Sequence, residues 1–269
     1  MPEIRIDPLT GHRAVIAGSA DGAPPLLDAD SPDPPATAYP DLFWSGAAHG
    51  AQEPIEIPGG PVRSLAELDD EAIEAAAERW RERMRAHAGA ACLHLAVDQG
   101  DGPASAQLFA LPFVPAAIAR ERERFGAYAT RTMGANLLGD LVQHEVRLRE
   151  RIVAIDREAV LMAPFGSRVP YQLLLAPRVP RMRFEDPGPT GARLLRDGLA
   201  RLGRLLGEHP PLSLWVRTAP GGAEHFCWRI DVLPRLDRAG AAGSGFELGT
   251  GVGANPIAPE VAAARLREA

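Results

Sequence analysis

One short segment places four side chains able to do chemistry at alternate positions. His225, Cys227, Arg229 and Asp231 alternate along HFCWRID, and alternate residues of a strand face the same side of a sheet. Histidine, cysteine and aspartate on one face are a possible set of metal ligands, but Arg229 in their midst repels a cation. The pattern therefore favours an ionic network between Arg229 and Asp231, or an anion held by Arg229, over a metal site.

A second segment, SAQLFALP, begins at Ser105 and places Gln107 on the same face of a predicted strand. A serine hydroxyl becomes a nucleophile only when a base removes its proton, and no base is adjacent in sequence. The only local candidate is His94 on the preceding predicted strand, and we interpret it as a side chain on the sheet face with no catalytic part. Together with Asp98, His94 and Gln107 are candidate ligand-binding residues.

The spacing of apolar residues predicts two similar sets of elements that would position these side chains. The first set consists of a helix over 65–87 and strands over 91–98 and 105–112. The second consists of strands over 170–177, 212–217 and 225–233 and a helix over 190–206. Each set ends in a strand closed by proline, LFALP and IDVLP. Strands that follow a helix and pair side by side predict an α+β fold, with antiparallel sheets and helices packed on one face.

The remaining predicted elements are a hairpin, a broken helix, two further strands and a terminal helix. They cover residues 3–17, 115–150, 151–155, 159–163 and 259–268, respectively. Alternating charges in ARERERFGAYATR, inside the broken helix, indicate a solvated helix face. Residues 18–40 are rich in glycine, alanine, aspartate and proline and are expected to be irregular.

Composition narrows the class of protein. The chain has 269 residues, 46% of them hydrophobic, which is enough to bury a substantial core. A net charge of −6 argues against nucleic acid as a partner, and all 29 basic residues are arginine. Two cysteines cannot form a disulfide framework, so we expect a reducing, cytoplasmic compartment. No apolar run has membrane-spanning length, and the N-terminal residues lack the pattern of a targeting segment, so we expect a soluble protein without a membrane partner.

Seven ordered segments resemble the galactose-1-phosphate uridylyltransferases, the two-repeat branch of the histidine-triad superfamily. They are RIDPLTG, SLAELDDE, AQLFALPFVPAAIARERER, APFGSRVPYQLLLAPR, SLWVRTAP, HFCWRIDVLPRL and GFELGTGVGANPIAPEVAAARLR. The resemblance implies two histidine-triad-like repeats, residues 1–115 and 116–269, in one compact unit. It also implies a homodimer and a nucleotidyl transfer in which a histidine attacks the α-phosphorus of UDP-glucose.

The chain departs from the family at the residues that carry this chemistry. In the family's His-x-His-x-Gln motif, Gln107 is retained, whereas Ser105 and Pro103 replace the nucleophilic and the preceding histidine. The positions of two phosphate-binding arginines hold Ala20 and Ala23. The positions of the four zinc ligands hold Asp41, Trp44, Pro61 and Pro103, so no metal and no cofactor are expected.

One part of the family's acceptor site is retained. Phe246 and Glu247 match a pair that lies near the hexose of the sugar phosphate in relatives, so Glu247 is a candidate to hydrogen-bond a polyol. Alternatively, GFELGTG is retained because its glycines shape a turn that the fold needs. The sequence leaves both interpretations open.

Three hypotheses about function follow. The first is a protein that has lost uridylyl transfer but binds a sugar phosphate, nucleotide or pathway intermediate in the old cleft, with or without a new reaction. The second is a non-catalytic dimer partner of an active paralogue. The third is a residual nucleotidyltransferase or hydrolase that uses Ser105 or another histidine.

Overall fold

A computed structural model of the chain describes residues 3–11, 13–16, 51–100, 102–236 and 245–269. The predicted irregular segment 18–40 lies outside the described residues. So do Ala20, Ala23, Asp41 and Trp44.

Eleven strands make up two sheets in this described part. They are β1 (Glu3–Ile6), β2 (Arg13–Ile16), β3 (Ala51–Ile55), β4 (Cys92–Gln99), β5 (Ser105–Leu111), β6 (Ile152–Ile155), β7 (Ala159–Met162), β8 (Leu173–Pro177), β9 (Leu212–Arg217), β10 (Arg229–Pro234) and β11 (Gly253–Asn255). The larger sheet is antiparallel and has the order β3-β5-β4-β9-β10-β8-β7-β6. The smaller sheet has the order β1-β2-β11.

Six α-helices accompany the sheets in the same part of the chain. They are α1 (Asp70–Ala86), α2 (Ala116–Thr132), α3 (Leu137–Leu148), α4 (Ala192–Leu206), α5 (Gly245–Thr250) and α6 (Pro259–Glu268). None of the helices in this part of the chain is long and apolar enough to cross a membrane.

Local sequence explains where the first long helix begins. Glu67 accepts from the backbone N–H of Ser64, while the Ser64 hydroxyl accepts from the N–H of Ala66, and this capping arrangement closes a short 3₁₀ turn. Asp69 then accepts from Ala72 N and caps α1. The helix predicted over 65–87 is therefore a 3₁₀ turn followed by an α-helix.

The main core lies on one face of the large sheet. Residues such as Leu95, Leu108, Leu214 and Ile230 are almost fully buried and pack against apolar residues of α1, α4 and α6. Burying one such side chain contributes roughly 1.5–3 kcal/mol. The opposite face of β6–β8 packs against Leu138 and its neighbours on α2 and α3.

The predicted α+β fold with an antiparallel sheet is confirmed. Helices α1, α4 and α6 lie on one face as expected, and α2 and α3 add a layer on the other. Strands β4 and β9 pair directly, with Ala96 opposite Trp215, so the two sets of elements share one sheet. The division of the chain into repeats 1–115 and 116–269 stays a prediction, and residue 116 is where α2 begins.

Candidate functional site

Strands β4, β5, β9 and β10 turn a mostly polar surface away from the main core, and we call it the polar face. Because side chains alternate along a strand, the register sets three rows across it. One row contains Ser105, Asp98 and Ser213, the next Gln107, Ala96, Trp215 and Asp231, and the third Phe109, His94, Arg217 and Arg229. Six residues predicted from sequence therefore share this surface: Ser105, Gln107, His94, Asp98, Arg229 and Asp231.

The first row lies at the start of β5. The Ser213 hydroxyl donates to Asp98, which is opposite Ser105 in the strand register. The Ser105 hydroxyl oxygen is buried and has no hydrogen-bond partner among the described residues. Gln107 accepts at 3.1 Å from the side-chain amide of Gln52 on the edge strand β3. Ser105 thus has a buried hydroxyl without a hydrogen-bond partner, and no base in the described part of the chain accepts its proton.

His94 lies in the third row between Phe109 and Arg217. Burial, together with the charge of Arg217, lowers the pKa of His94 to about 4. The imidazole is therefore neutral at physiological pH. Its ring lies 6.1 Å from that of Phe109, measured between centroids.

Arg229 is the centre of a buried ionic cluster. Its Nε donates to Asp231 Oδ2 at 3.0 Å, and its Nη1 donates to Glu121 Oε1 on α2. All three side chains are more than 90% buried. Burial lowers the pKa of Arg229, but the carboxylates of Asp231 and Glu121 outweigh that effect, so the net pKa is raised. The predicted ionic contact between Arg229 and Asp231 is present.

Glu121 corrects the interpretation of the charged run in α2 as a solvated face. Glu121 is only 2% exposed and is buried on the same side of α2 as Ile118 and Phe125. The spacing of these three residues, at 118, 121 and 125, is the helical period of one stripe. That spacing is the signal by which sequence reasoning could have found Glu121.

The predicted strand over 225–233 is too long at its start, because residues 225–228 lie outside it. Strand β10 begins at Arg229, so His225 and Cys227 do not continue its face. His225 is exposed, whereas Cys227 is fully buried against Phe226 and the apolar residues around α2 and α3. Burial raises the pKa of the Cys227 thiol to about 11, which removes thiolate chemistry from this position. Among the described residues, no group of three or more histidine, cysteine, aspartate or glutamate side chains is arranged to hold a metal.

Glu247 lies in the short helix α5. The predicted turn at GFELGTG is therefore a short helix, and Gly251 follows it with a φ of 69°. Glu247 is half-buried and does not line the cavity described next. The side chain of Phe246 lies outside the described part.

A cavity of ≈ 70 Å³ opens on the polar face beside β9 and β10. Its walls come from these strands, from α2, from the turn after β1 and from the loop between β7 and β8; they include Asp7, Glu121, Arg168, Trp215, Arg217 and Arg229. Gly166 permits this assembly, since a Cβ there would lie 2.7 Å from the backbone of Asp7. Trp215 and Arg217 were missed as site residues, although alternation along SLWVR places both with Ser213 on one face.

Three comparisons place the chain among known proteins. It is 31% identical over 180 residues to a galactose-1-phosphate uridylyltransferase of Cryptococcus neoformans, covering 60% of this chain and 46% of the relative. It is 26% identical over 256 residues to the Haemophilus influenzae galactose-1-phosphate uridylyltransferase, covering 88% and 72%. An Arabidopsis thaliana ADP-glucose phosphorylase crystallised with ADP-glucose has the same fold, with a TM-score of 0.81, 20% identity and coverage of 100% and 99%.

The chain thus spans about half the length of the fungal relative. No family model matches it. The ordered motifs, the antiparallel sheet and the two relatives named as uridylyltransferases nevertheless agree. The similarity to these two relatives supports membership of the galactose-1-phosphate uridylyltransferase-like family.

Proposed function

We propose that the chain binds a phosphorylated sugar or a sugar nucleotide on the polar face and has lost the uridylyl transfer that a histidine at position 105 would perform. The observation that carries this proposal is the set of three rows of side chains across β5, β4, β9 and β10. Gln107 and Ser105 share this face with the neutral His94 and the cationic Arg217, and no base among the described residues accepts from the Ser105 hydroxyl. This is a surface with groups for binding and no activated nucleophile at position 105.

The names of the relatives support a phosphorylated sugar or a sugar nucleotide as the ligand. Two are named as acting on galactose 1-phosphate, and a neighbour of the same fold was crystallised with ADP-glucose. Ligands of this class carry hydroxyl groups and phosphate oxygens. Amide, imidazole and guanidinium groups at one surface are suitable partners for both.

Thermal unfolding with UDP-glucose, ADP-glucose, galactose 1-phosphate and UMP tests the proposal, because a ligand that binds only the folded state raises Tm. We expect at least one of these compounds to raise Tm, and Gln107→Leu to reduce the rise. The exposed variant Arg193→Gln is the matched control and should respond like the unmodified chain. No rise with any compound, at concentrations up to the millimolar range, would overturn the proposal.

A second candidate is a residual nucleotidyltransferase in which His94 is the nucleophile. Its neutral imidazole, next to Arg217 in the register, favours this candidate. A ring nitrogen of His94 would attack the α-phosphorus of UDP-glucose, forming a P–N bond as the P–O bond to the leaving glucose 1-phosphate breaks.

Incubation with UDP-glucose labelled in the uridine separates the two candidates. The first predicts no protein-bound label, and the second predicts label that is acid-labile and absent from His94→Asn. Label that persists in His94→Asn would contradict both, since it requires another nucleophile.

A homodimer, a non-catalytic pairing with an active paralogue and a cytoplasmic location stay predictions. Sedimentation of the purified chain measures the first, and co-purification from the native host measures the second. A monomer at micromolar concentration would contradict the homodimer.

A further inference from the structure

The cavity beside β9 and β10 has its carboxylates already satisfied. Asp231 and Glu121 both accept from Arg229. Asp7 accepts from the Thr10 hydroxyl at 2.6 Å and from the N–H of Leu9 at 2.9 Å. The acidic wall of the cavity therefore consists of groups with protein donors, and Arg229 is committed to two of them.

Two donors on the same cavity have no acceptor among the described residues. Arg217 Nε is buried and lies 3.6 Å from Glu121 Oε2, which is too long for a hydrogen bond. Trp215 Nε1 is buried and makes no hydrogen bond. Trp80 and Trp228 also lack acceptors, but they lie in the apolar core, whereas Trp215 lines an open space. A buried donor left without a partner destabilises the folded state, so its presence at a cavity points to an absent acceptor.

The electrostatics of Arg217 indicate that this acceptor is an anion. Burial and the like charge of Arg229 lower the pKa of Arg217, against the opposing effect of Glu121. The charged guanidinium is thus less well compensated than that of Arg229, and a bound anion would restore it. The volume of ≈ 70 Å³ is several times the roughly 10–15 Å³ that one water molecule requires.

The cavity lies close enough to Gln107 for one ligand to contact both. Trp215 lies in the same row as Gln107, with Ala96 on the strand between them. Two strand spacings, about 10 Å, separate the backbones of Trp215 and Gln107. A ligand with a phosphate at one end and a polyol or nucleoside at the other can contact both.

We propose that this cavity binds the phosphate group of a phosphorylated ligand, with Arg217 Nε–H and Trp215 Nε1–H as hydrogen-bond donors. The inference rests on the proposed function and deepens it, because it assigns the phosphate to β9 rather than to the emptied motif at Ser105. Inorganic phosphate and a phosphate ester share the chemistry that these donors recognise.

Calorimetric titration with inorganic phosphate, glucose 1-phosphate and glucose tests the inference on the full chain. We expect both phosphates to bind and glucose not to bind. Arg217→Gln should weaken binding of both phosphates by roughly tenfold or more. Trp215→Phe keeps the ring but removes the N–H, and should weaken binding by a few-fold, roughly 3–10. Arg193→Gln, distant from the cavity, should bind as the unmodified chain does.

The comparison of the two phosphates identifies the source of the ligand. Tighter binding of glucose 1-phosphate supports an ester whose sugar contacts the polar face, and equal binding supports free phosphate in the same cavity. If Arg217→Gln does not fold, as judged by circular dichroism, Trp215→Phe alone decides.

Phosphate affinities that are unchanged in the folded variants would overturn the inference, and so would a cavity that takes only water, seen as no binding of either phosphate. If UDP-glucose or ADP-glucose still raises Tm in that case, the proposed function stands and only the assignment of the phosphate fails. If none of the compounds binds, both fail.

Discussion

The two faces of the large sheet hold buried arginines in opposite ways. On the helix-covered face, Arg81 of α1 donates to the carbonyls of Phe184, Gly188 and Pro189 and is only 1% exposed. On the polar face, Arg217 has a buried Nε with no hydrogen bond among the described residues and a lowered pKa. The first arginine holds a loop against the core, whereas the second has an Nε–H without a hydrogen-bond acceptor in the described part of the chain. If Arg217 binds an anion as proposed, the difference separates a side chain that stabilises the fold from one that is kept for binding.

We expect the largest effect on stability at Arg229, which lies on the polar face but is paired with two carboxylates. Arg229→Leu leaves Glu121 and Asp231 buried without their cation, and we expect a loss of about 3–5 kcal/mol in the free energy of unfolding. Urea denaturation measures it through the midpoint. The control Arg193→Gln removes an ion pair whose arginine is 58% exposed, and should cost at most about 1 kcal/mol. Equal losses in the two variants would remove the distinction between the cluster and the surface.

The direct test compares the two arginines themselves. Arg81→Met leaves three carbonyl groups without their donor and should cost about 3 kcal/mol. Arg217→Met removes an under-compensated charge and should cost less than about 1 kcal/mol, or stabilise the chain. Both values come from the same denaturation series. A loss at Arg217 as large as that at Arg81 would mean that Arg217 is a structural residue.

Packing of the two helix layers is tested by one glycine in each layer, Gly198 in α4 and Gly126 in α2. A Cβ at Gly198 in α4 would lie 2.4 Å from Leu161 Cδ2, so Gly198→Ala should cost about 1–3 kcal/mol. Gly126 in α2 has no heavy atom within 4 Å of its added Cβ, and Gly126→Ala should stabilise the chain by about 0.5–1 kcal/mol. Thermal unfolding of both variants provides the measurement. Destabilisation by Gly126→Ala would indicate that α2 has a partner on its open side.

The smallest expected effect is a pH dependence from His94. Its folded pKa of about 4 lies below the ordinary 6.5, so the unfolded state binds more protons between these values. Stability should therefore fall as pH drops from about 6.5 to about 4 and show no contribution from His94 above that window. We expect about 1–2 kcal/mol, discounted for partial exposure. His94→Asn, measured by denaturation across the same window, should flatten the profile, and an unchanged slope would show that another group causes it.

Much of the secondary structure could be predicted because it is encoded locally. Strands β4, β5 and β9 follow the predicted alternation to within two residues, and the broken helix at Met133 ends in the left-handed conformation with a φ of 56°. The prediction for residues 225–228 was wrong because it also relied on a local pattern. HFCW alternates as a strand does, but Phe226 and Cys227 are buried in an apolar cluster before β10 begins.

The sequence by itself determined which side chains share a face within each strand, since a period of two residues is a property of the extended backbone. It thereby placed Ser105 with Gln107 and Arg229 with Asp231. Only the tertiary structure decided which strands lie side by side, because the pairing of β4 with β9 joins residues more than 100 positions apart. That pairing brings His94 next to Arg217, and the docking of α2 brings Glu121 onto Arg229. Cross-strand partners and the burial of a helix face depend on the whole packed chain, so no local pattern specifies them.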